Sequence, residues 1–187
     1  MSERFQIYPT PLVGLKVLER LPRGDDRGYL ERLFCDEELA QAGWSGQLRQ
    51  MNHTYTQKRG TARGLHFQLP PHSEIKLVSC MQGEVWDVVV DLRRESPTFL
   101  KWHAEVLSAD NHRSLLIPQG FAHGFQTLTD DVHMLYCHSE AYAQHAEAGI
   151  SVNDPVLQIP WRLPIIELSQ RDQSYPLISK DFEGVSL

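Results

Sequence analysis

Between residues 47 and 138 the chain alternates apolar and polar side chains in short runs, each closed by turn-forming residues. The runs cover residues 47–55, 61–68, 75–81, 84–92, 101–107, 113–117, 122–128 and 132–138. Between them stand Gly60, Pro70-Pro71, Gly83, Ser96-Pro97, Asp110-Asn111, Pro118 with Gly120, and Asp130-Asp131. A period of two marks a strand with one face toward a core, and evenly spaced short strands predict a sandwich or barrel. No helices alternate with the strands, so a parallel α/β sheet is not expected. The pattern predicts a mostly β protein, an antiparallel jelly-roll barrel with a few short helices.

The flanks are less regular. Residues 15–20 and 30–34 read as two further strands around a turn that holds Gly24, Asp25 and Asp26. Residues 36–43 predict a short helix, capped by Asp36, favoured at its start by Glu37 and Glu38, and ended by Gly43. Past Gly149 the chain becomes proline-rich (Pro155, Pro160, Pro164) and predicts an irregular tail, with one short helix capped by Ser169. No internal repeat divides the chain, and residues 1–187 read as one domain.

One strand carries a second message. In residues 84–92, Trp86, Val88, Val90 and Leu92 share one face, and Val85, Asp87, Val89 and Asp91 the other. The acidic face either meets solvent or lines a wet cavity.

Composition narrows the function. A chain of 187 residues can bury a substantial core, and 41% hydrophobic with 22% charged residues is ordinary for a globular protein. The formal net charge of -6 argues against a surface for nucleic acid, although a few arginines in a pocket can still hold a small anion. Cys35, Cys80 and Cys137 are odd in number and form no Cys-x-x-Cys pair, so reduced, mostly buried thiols are expected. With no apolar leader and no run able to cross a bilayer, the expectation is a soluble, cytoplasmic protein without a membrane partner.

Candidate chemistry centres on Arg63-Gly64-Leu65-His66-Phe67-Gln68. The chain has nine histidines, so most of them do nothing chemical; His66 stands out for its neighbours Arg63 and, on the next strand, Lys76. Strand parity places residues 63 and 66 on opposite faces, so they share a cavity only if the strand bulges, and Gly64 is where it can. Pro118-x-Gly120-x-x-His123 resembles the second motif of the cupin superfamily, in which the histidine often binds metal. The cupin His-x-His element is here His66-Phe67-Gln68, one imidazole short of a ligand set, so no metal site is expected.

Several motifs occur in order: Arg63-Gly64-Leu65-His66-Phe67-Gln68, Lys76-Leu77-Val78, the run at 83–93, Ser96-Pro97-Thr98-Phe99, residues 117–125, Leu135-Tyr136, Asn153-Asp154-Pro155 and Leu168-Ser169-x-x-Asp172. Together they closely resemble the dTDP-4-dehydrorhamnose 3,5-epimerase family over nearly the whole chain. The resemblance implies a metal-free, cofactor-free cupin-type jelly roll that forms a homodimer. It would invert C3 and/or C5 of a 4-keto-6-deoxyhexose carried on a nucleoside diphosphate, dTDP above all. By the same resemblance His66 is the base, Asp172 the carboxylate that orients it, Tyr136 the acid on the far face, and Lys76 the cation at the developing enolate oxygen. Arg63 and Arg27 resemble the diphosphate contacts, Arg27 by reaching into a neighbouring subunit. Gln50, Asn52 and Tyr142 match positions near the substrate, and His123 with Asp87 would belong to the pocket wall. Taken singly, Tyr136 reads as a core aromatic, Lys76 as a surface charge and Asp172 as a helix-start carboxylate.

The chain departs from the family pattern at Arg32, Leu100 and Val152, and at His133 and His138, which flank Tyr136 where apolar or uncharged residues are frequent. None of these removes a proposed catalytic group; they bear on the sugar, the nucleotide, and whether one or both carbons are inverted. The competing readings are a C3-only epimerase or other keto-sugar isomerase, a metal-dependent cupin, and a non-catalytic sugar-binding jelly roll.

Overall fold

The computed structural model describes residues 4–187. In chain order the strands are β1 (Phe5–Pro9), β2 (Lys16–Arg20), β3 (Arg23–Asp25), β4 (Gly28–Leu30), β5 (Gln50–Thr56), β6 (Ala62–Gln68) and β7 (Lys76–Gln82). They continue with β8 (Glu84–Asp91), β9 (Trp102–Ser108), β10 (Arg113–Ile117), β11 (Phe121–Thr127), β12 (Val132–His138) and β13 (Glu147–Gly149). Two short helices, α1 (Asp36–Ala40) and α2 (Gln170–Ser174), and a 3-10 turn at Gln144–Ala146 complete it.

Two antiparallel sheets face each other, one in the order β1-β2-β10-β7-β12-β5 and the other β13-β6-β11-β8-β9. Between them Val17, Val78, Leu115, Ile117 and Met134 of the first sheet meet Val85, Val89, Phe121 and Phe125 of the second. Each such side chain contributes about 1.5–3 kcal/mol when fully buried. This is the mostly β, antiparallel jelly roll that the alternation predicts.

Both outer faces are also covered. The irregular tail lays Ile150, Val152, Leu157 and Val185 over Leu65, Trp86, Val88, Val90 and Leu92 on the back of the second sheet. Leu39, Ala42 and Trp44, from α1 and the turn after it, cover Phe5, Leu18, Leu77 and Cys137 on the back of the first. Covering by the tail explains why residues 84–92 alternate yet are buried on both sides. The face with Asp87 and Asp91 looks into the barrel, not to solvent.

Two local expectations need correction. The predicted strand at 30–34 is instead β4, which pairs with β3 in an exposed two-stranded hairpin and stops at Leu30. Beyond it the chain is drawn inward, because Glu31 pairs with the buried Arg20 at 2.9 Å. Asp36 does not cap α1: Cys35 holds the cap position, without a side-chain bond, and Asp36 Oδ1 accepts from the Glu37 amide. Gly43 does turn the chain after α1, at φ +111°. Strands β1 and β13 were not expected; both are short and take their place from pairing with β2 and β6 rather than from alternation.

Candidate active site

A cavity of about 470 Å³ opens between the sheets at the end where β5, β7 and β12 face β6 and β11. Gln50, Asn52, Lys76, Tyr136 and His138 line it from the first sheet, Arg63, His66 and His123 from the second, and Arg171 and Asp172 from α2.

Arg63 and His66 reach the same cavity because β6 bulges. His66 is opposite His123 and Arg63 opposite Phe125, so three steps along β6 match two along β11. Gly64 sits in the bulge at φ +133°, and a Cβ there would lie 2.5 Å from Gly124 Cα. No L side chain suits either the dihedral or the space. Gly64→Ala is therefore expected to cost about 2–5 kcal/mol through strain and overpacking. Denaturant unfolding reads this directly, and an unchanged midpoint would contradict the bulge account.

His66 Nε2 lies 2.7 Å from Asp172 Oδ1. Asp172 is only 3% exposed, and its Oδ2 accepts weakly from the Gly64 amide at 3.5 Å. It is placed by α2, where the Ser169 hydroxyl accepts from the Asp172 amide at 3.0 Å, the cap the sequence predicts. Burial pushes the Asp172 carboxyl up. The hydrogen bond and charge of His66, with the Gly64 and Ser169 contacts, outweigh it and hold the group below the usual carboxylate range. An ionised, fixed carboxylate thus orients the imidazole, and Nδ1 has no hydrogen-bond partner among the described residues.

Tyr136 stands on the facing sheet, packed against the barrel core. Burial first, and then the negative Asp87, push its phenol up, so it keeps its proton through and beyond the ordinary tyrosine range. Lys76 Nζ pairs with Glu74 Oε1 at 2.9 Å and donates to the His66 carbonyl at 3.3 Å. Both Lys76 and Glu74 are buried. Both side chains line the cavity, so the lysine meets it with its charge partly balanced by Glu74.

The remaining expected residues divide. Arg63 donates from Nε to Thr56 Oγ1 at 3.0 Å and stays exposed at the cavity lip. Gln50 donates to Asn52 Oδ1 at 3.2 Å and accepts from the Tyr142 amide at 3.0 Å. Tyr142 donates to Glu147, which also pairs with Arg171. His123 lines the cavity, but Asp87 does not: it is fully buried behind His123, whose Nε2 is 2.9 Å from both carboxylate oxygens. Burial pushes Asp87 up, against the charge and hydrogen bond of His123. Arg27 lies outside this cavity, on the exposed β3–β4 hairpin, paired with Asp25 at 2.6 Å. Sequence reasoning missed Glu74, Glu147 and Arg171, and it marks His138 only as a departure from the family pattern. Glu74 precedes a strand and Arg171 adjoins Asp172, but neither carries a pattern of its own. No group of three or more His, Cys, Asp or Glu side chains able to hold a metal ion occurs among the described residues.

An imidazole–carboxylate pair on one wall, with a phenol and a buried lysine on the facing sheet, gives this jelly roll a cavity lined by groups able to give and take protons. The dTDP-4-dehydrorhamnose 3,5-epimerase family profile matches residues 9–180. The dTDP-4-dehydrorhamnose 3,5-epimerase of Shigella flexneri is 40% identical over 167 residues, which cover 89% of this chain and 92% of that protein. The crystal structure of the Bacillus anthracis dTDP-4-dehydrorhamnose 3,5-epimerase, with TDP and PPi bound, superposes with TM-score 0.88 at 42% identity, over 93% of this chain and 99% of that one. The dTDP-6-deoxy-D-glucose-3,5-epimerase of Legionella pneumophila, solved in complex with dTDP-4-keto-L-rhamnose, gives TM-score 0.88 at 36% identity over 92% of each chain. The chain belongs to the dTDP-4-dehydrorhamnose 3,5-epimerase family.

Proposed function

We propose that this enzyme inverts C3 and C5 of a dTDP-linked 4-keto-6-deoxyhexose, converting dTDP-4-dehydro-6-deoxyglucose to dTDP-4-dehydrorhamnose. The observation that carries the reading is that His66 of one sheet, bonded to Asp172 of α2, and Tyr136 of the other sheet line the same cavity. The C4 ketone acidifies the hydrogens on C3 and C5. His66 removes one as a proton, the C–H electrons pass into the C4 oxygen, and Lys76 stabilises the enolate. Tyr136 then delivers a proton to the opposite face of the same carbon, which inverts it. Asp172 holds the imidazolium formed in the first step. Solvent water resets both groups, so no net atom is gained or lost.

Arg63, at the lip, fits one side of the diphosphate. We infer that Arg27 supplies a second contact across a homodimer. Tyr29 and Leu30 on its hairpin are 65% and 60% exposed, and β5 leaves one sheet edge open beside the cavity. The three cysteines are free thiols, which suits a reducing cytoplasm. Among the described residues no helix is long and apolar enough to cross a membrane.

Incubation with dTDP-4-dehydro-6-deoxyglucose in D2O, followed by NMR, tests the reaction. Deuterium should enter both C3 and C5 with inversion; entry at C3 alone would reduce the enzyme to a C3 epimerase, and entry at neither would sink the proposal. Light scattering at micromolar concentration should give a dimer, and Arg27→Ala should raise KM about tenfold with little change in kcat, since it removes binding remote from the reacting carbons. A monomer would overturn the shared-site arrangement.

A further inference from the structure

His138 closes β12 two residues after Tyr136, on the same face, and both rings front the cavity. Its Cα partners are Lys76 on β7 and Gln50 on β5. The His138 and Tyr136 rings lie 6.1 Å apart between centroids and within 15° of parallel. The imidazole therefore sits beside both the lysine and the phenol of the proposed mechanism, yet that mechanism gives it nothing to do.

Its hydrogen bonding is incomplete. Nε2 is enclosed and has no partner, and the other ring nitrogen makes no hydrogen bond among the described residues. Burial, then the positive charges of Lys76 and His123, push its pKa down to about 4, so the ring is neutral at physiological pH. An unpaired polar atom in a cavity wall costs stability, and valine or leucine would fill the same place without that cost. A half-turn about Cβ–Cγ carries Nε2 to the place of Cε1, so the ring can exchange its enclosed edge for its open one at no loss of protein hydrogen bonds. The missing partner is then a ligand group.

We propose that His138 is a specificity-determining residue that hydrogen-bonds the C3 hydroxyl of the bound 4-keto sugar. This rests on the reading above, in which Lys76 holds the C4 oxygen. Two carbons flank C4 in a 6-deoxyhexose: C3 bears a hydroxyl, and C5 bears a methyl group and the ring oxygen. A polar side chain paired with Lys76 on the neighbouring strand meets the C3 oxygen as the one hydroxyl beside the ketone. A neutral imidazole can either accept from that hydroxyl or donate to it, so it can hold the group on both sides of the inversion. A second cation there would instead compete with Lys76 for the enolate.

The test compares the full-length wild type with His138→Val and His138→Gln, using dTDP-4-dehydro-6-deoxyglucose in D2O. NMR reads deuterium at C3 and C5, and thermal unfolding is followed in parallel. His138→Val should keep or raise Tm while lowering the ratio of C3 to C5 exchange about tenfold, the scale set by losing one orienting contact. His138→Gln, which keeps a hydrogen-bonding side chain, should recover part of that ratio. An unchanged ratio in His138→Val would overturn the proposal, and so would a lowered Tm with equal losses at both carbons, the mark of a purely structural residue. Failure of the epimerase reading looks different: the wild type itself then exchanges neither carbon, and both proposals fall.

Discussion

Replacing His66 with alanine is expected to lower kcat by about 10³-fold, within the range general-base catalysis supplies. The expectation rests on one contact, the 2.7 Å bond from His66 Nε2 to a carboxylate that is otherwise buried. Alanine also leaves the buried Asp172 Oδ1 without its main partner, and an acceptor left unpaired costs about 1–3 kcal/mol. Two effects are then mixed, so His66→Gln is the better probe. Its amide can still donate to Asp172 Oδ1 but cannot take a proton from carbon. The account predicts that His66→Gln unfolds closer to the wild type than alanine does, yet is equally inactive. A glutamine variant that keeps a tenth of wild-type kcat would remove His66 from the role of base.

Tyr136→Phe is the second large effect, and its signature is qualitative. Abstraction by His66 does not need the phenol, so deuterium should still enter the sugar from D2O. What fails is delivery from the opposite face: the enolate is reprotonated by the group that made it, and the original configuration returns. Inverted product should therefore fall about 10²–10³-fold while exchange persists. The pH dependence of the wild type gives a parallel check. Burial and the Asp87 charge raise the Tyr136 phenol above its ordinary value of 10.0, so the proton it must give is retained through that pH. Appearance of the Tyr136 phenolate at the ordinary tyrosine value, read as the ultraviolet difference between the wild type and Tyr136→Phe with the fold intact, would contradict the assignment.

Much of this was legible in the chain, for a reason that also marks the limit. Alternation states which residues share a face, and the faces of β8 come out as the sequence predicts. It does not state what covers a face. That the proline-rich tail lies over Trp86 and Val88 depends on long-range packing with no periodic signal. The burial of Asp87 behind His123, rather than in the cavity wall, follows from the same silence. The bulge at Gly64 was foreseeable as a condition, because Arg63 and His66 have the wrong parity for one cavity; only the shift in register against β11 meets it. Arg27 stood out by its resemblance, but one chain alone leaves it on an exposed hairpin. Glu74 carries no pattern of its own because it stands in the turn before β7, and the role of Glu147 depends on Arg171, which only the fold brings to it from α2.

The central claim is that a base and an acid address one sugar ring from opposite sides. A crystal structure with a bound dTDP-4-keto-6-deoxyhexose or a close analogue measures this directly. The account predicts His66 within proton-transfer reach of C3 or C5 on one face, the Tyr136 hydroxyl on the other, and Lys76 Nζ at the C4 oxygen. A ring seated with His66 and Tyr136 on the same face, or held outside the cavity between the sheets, would contradict it.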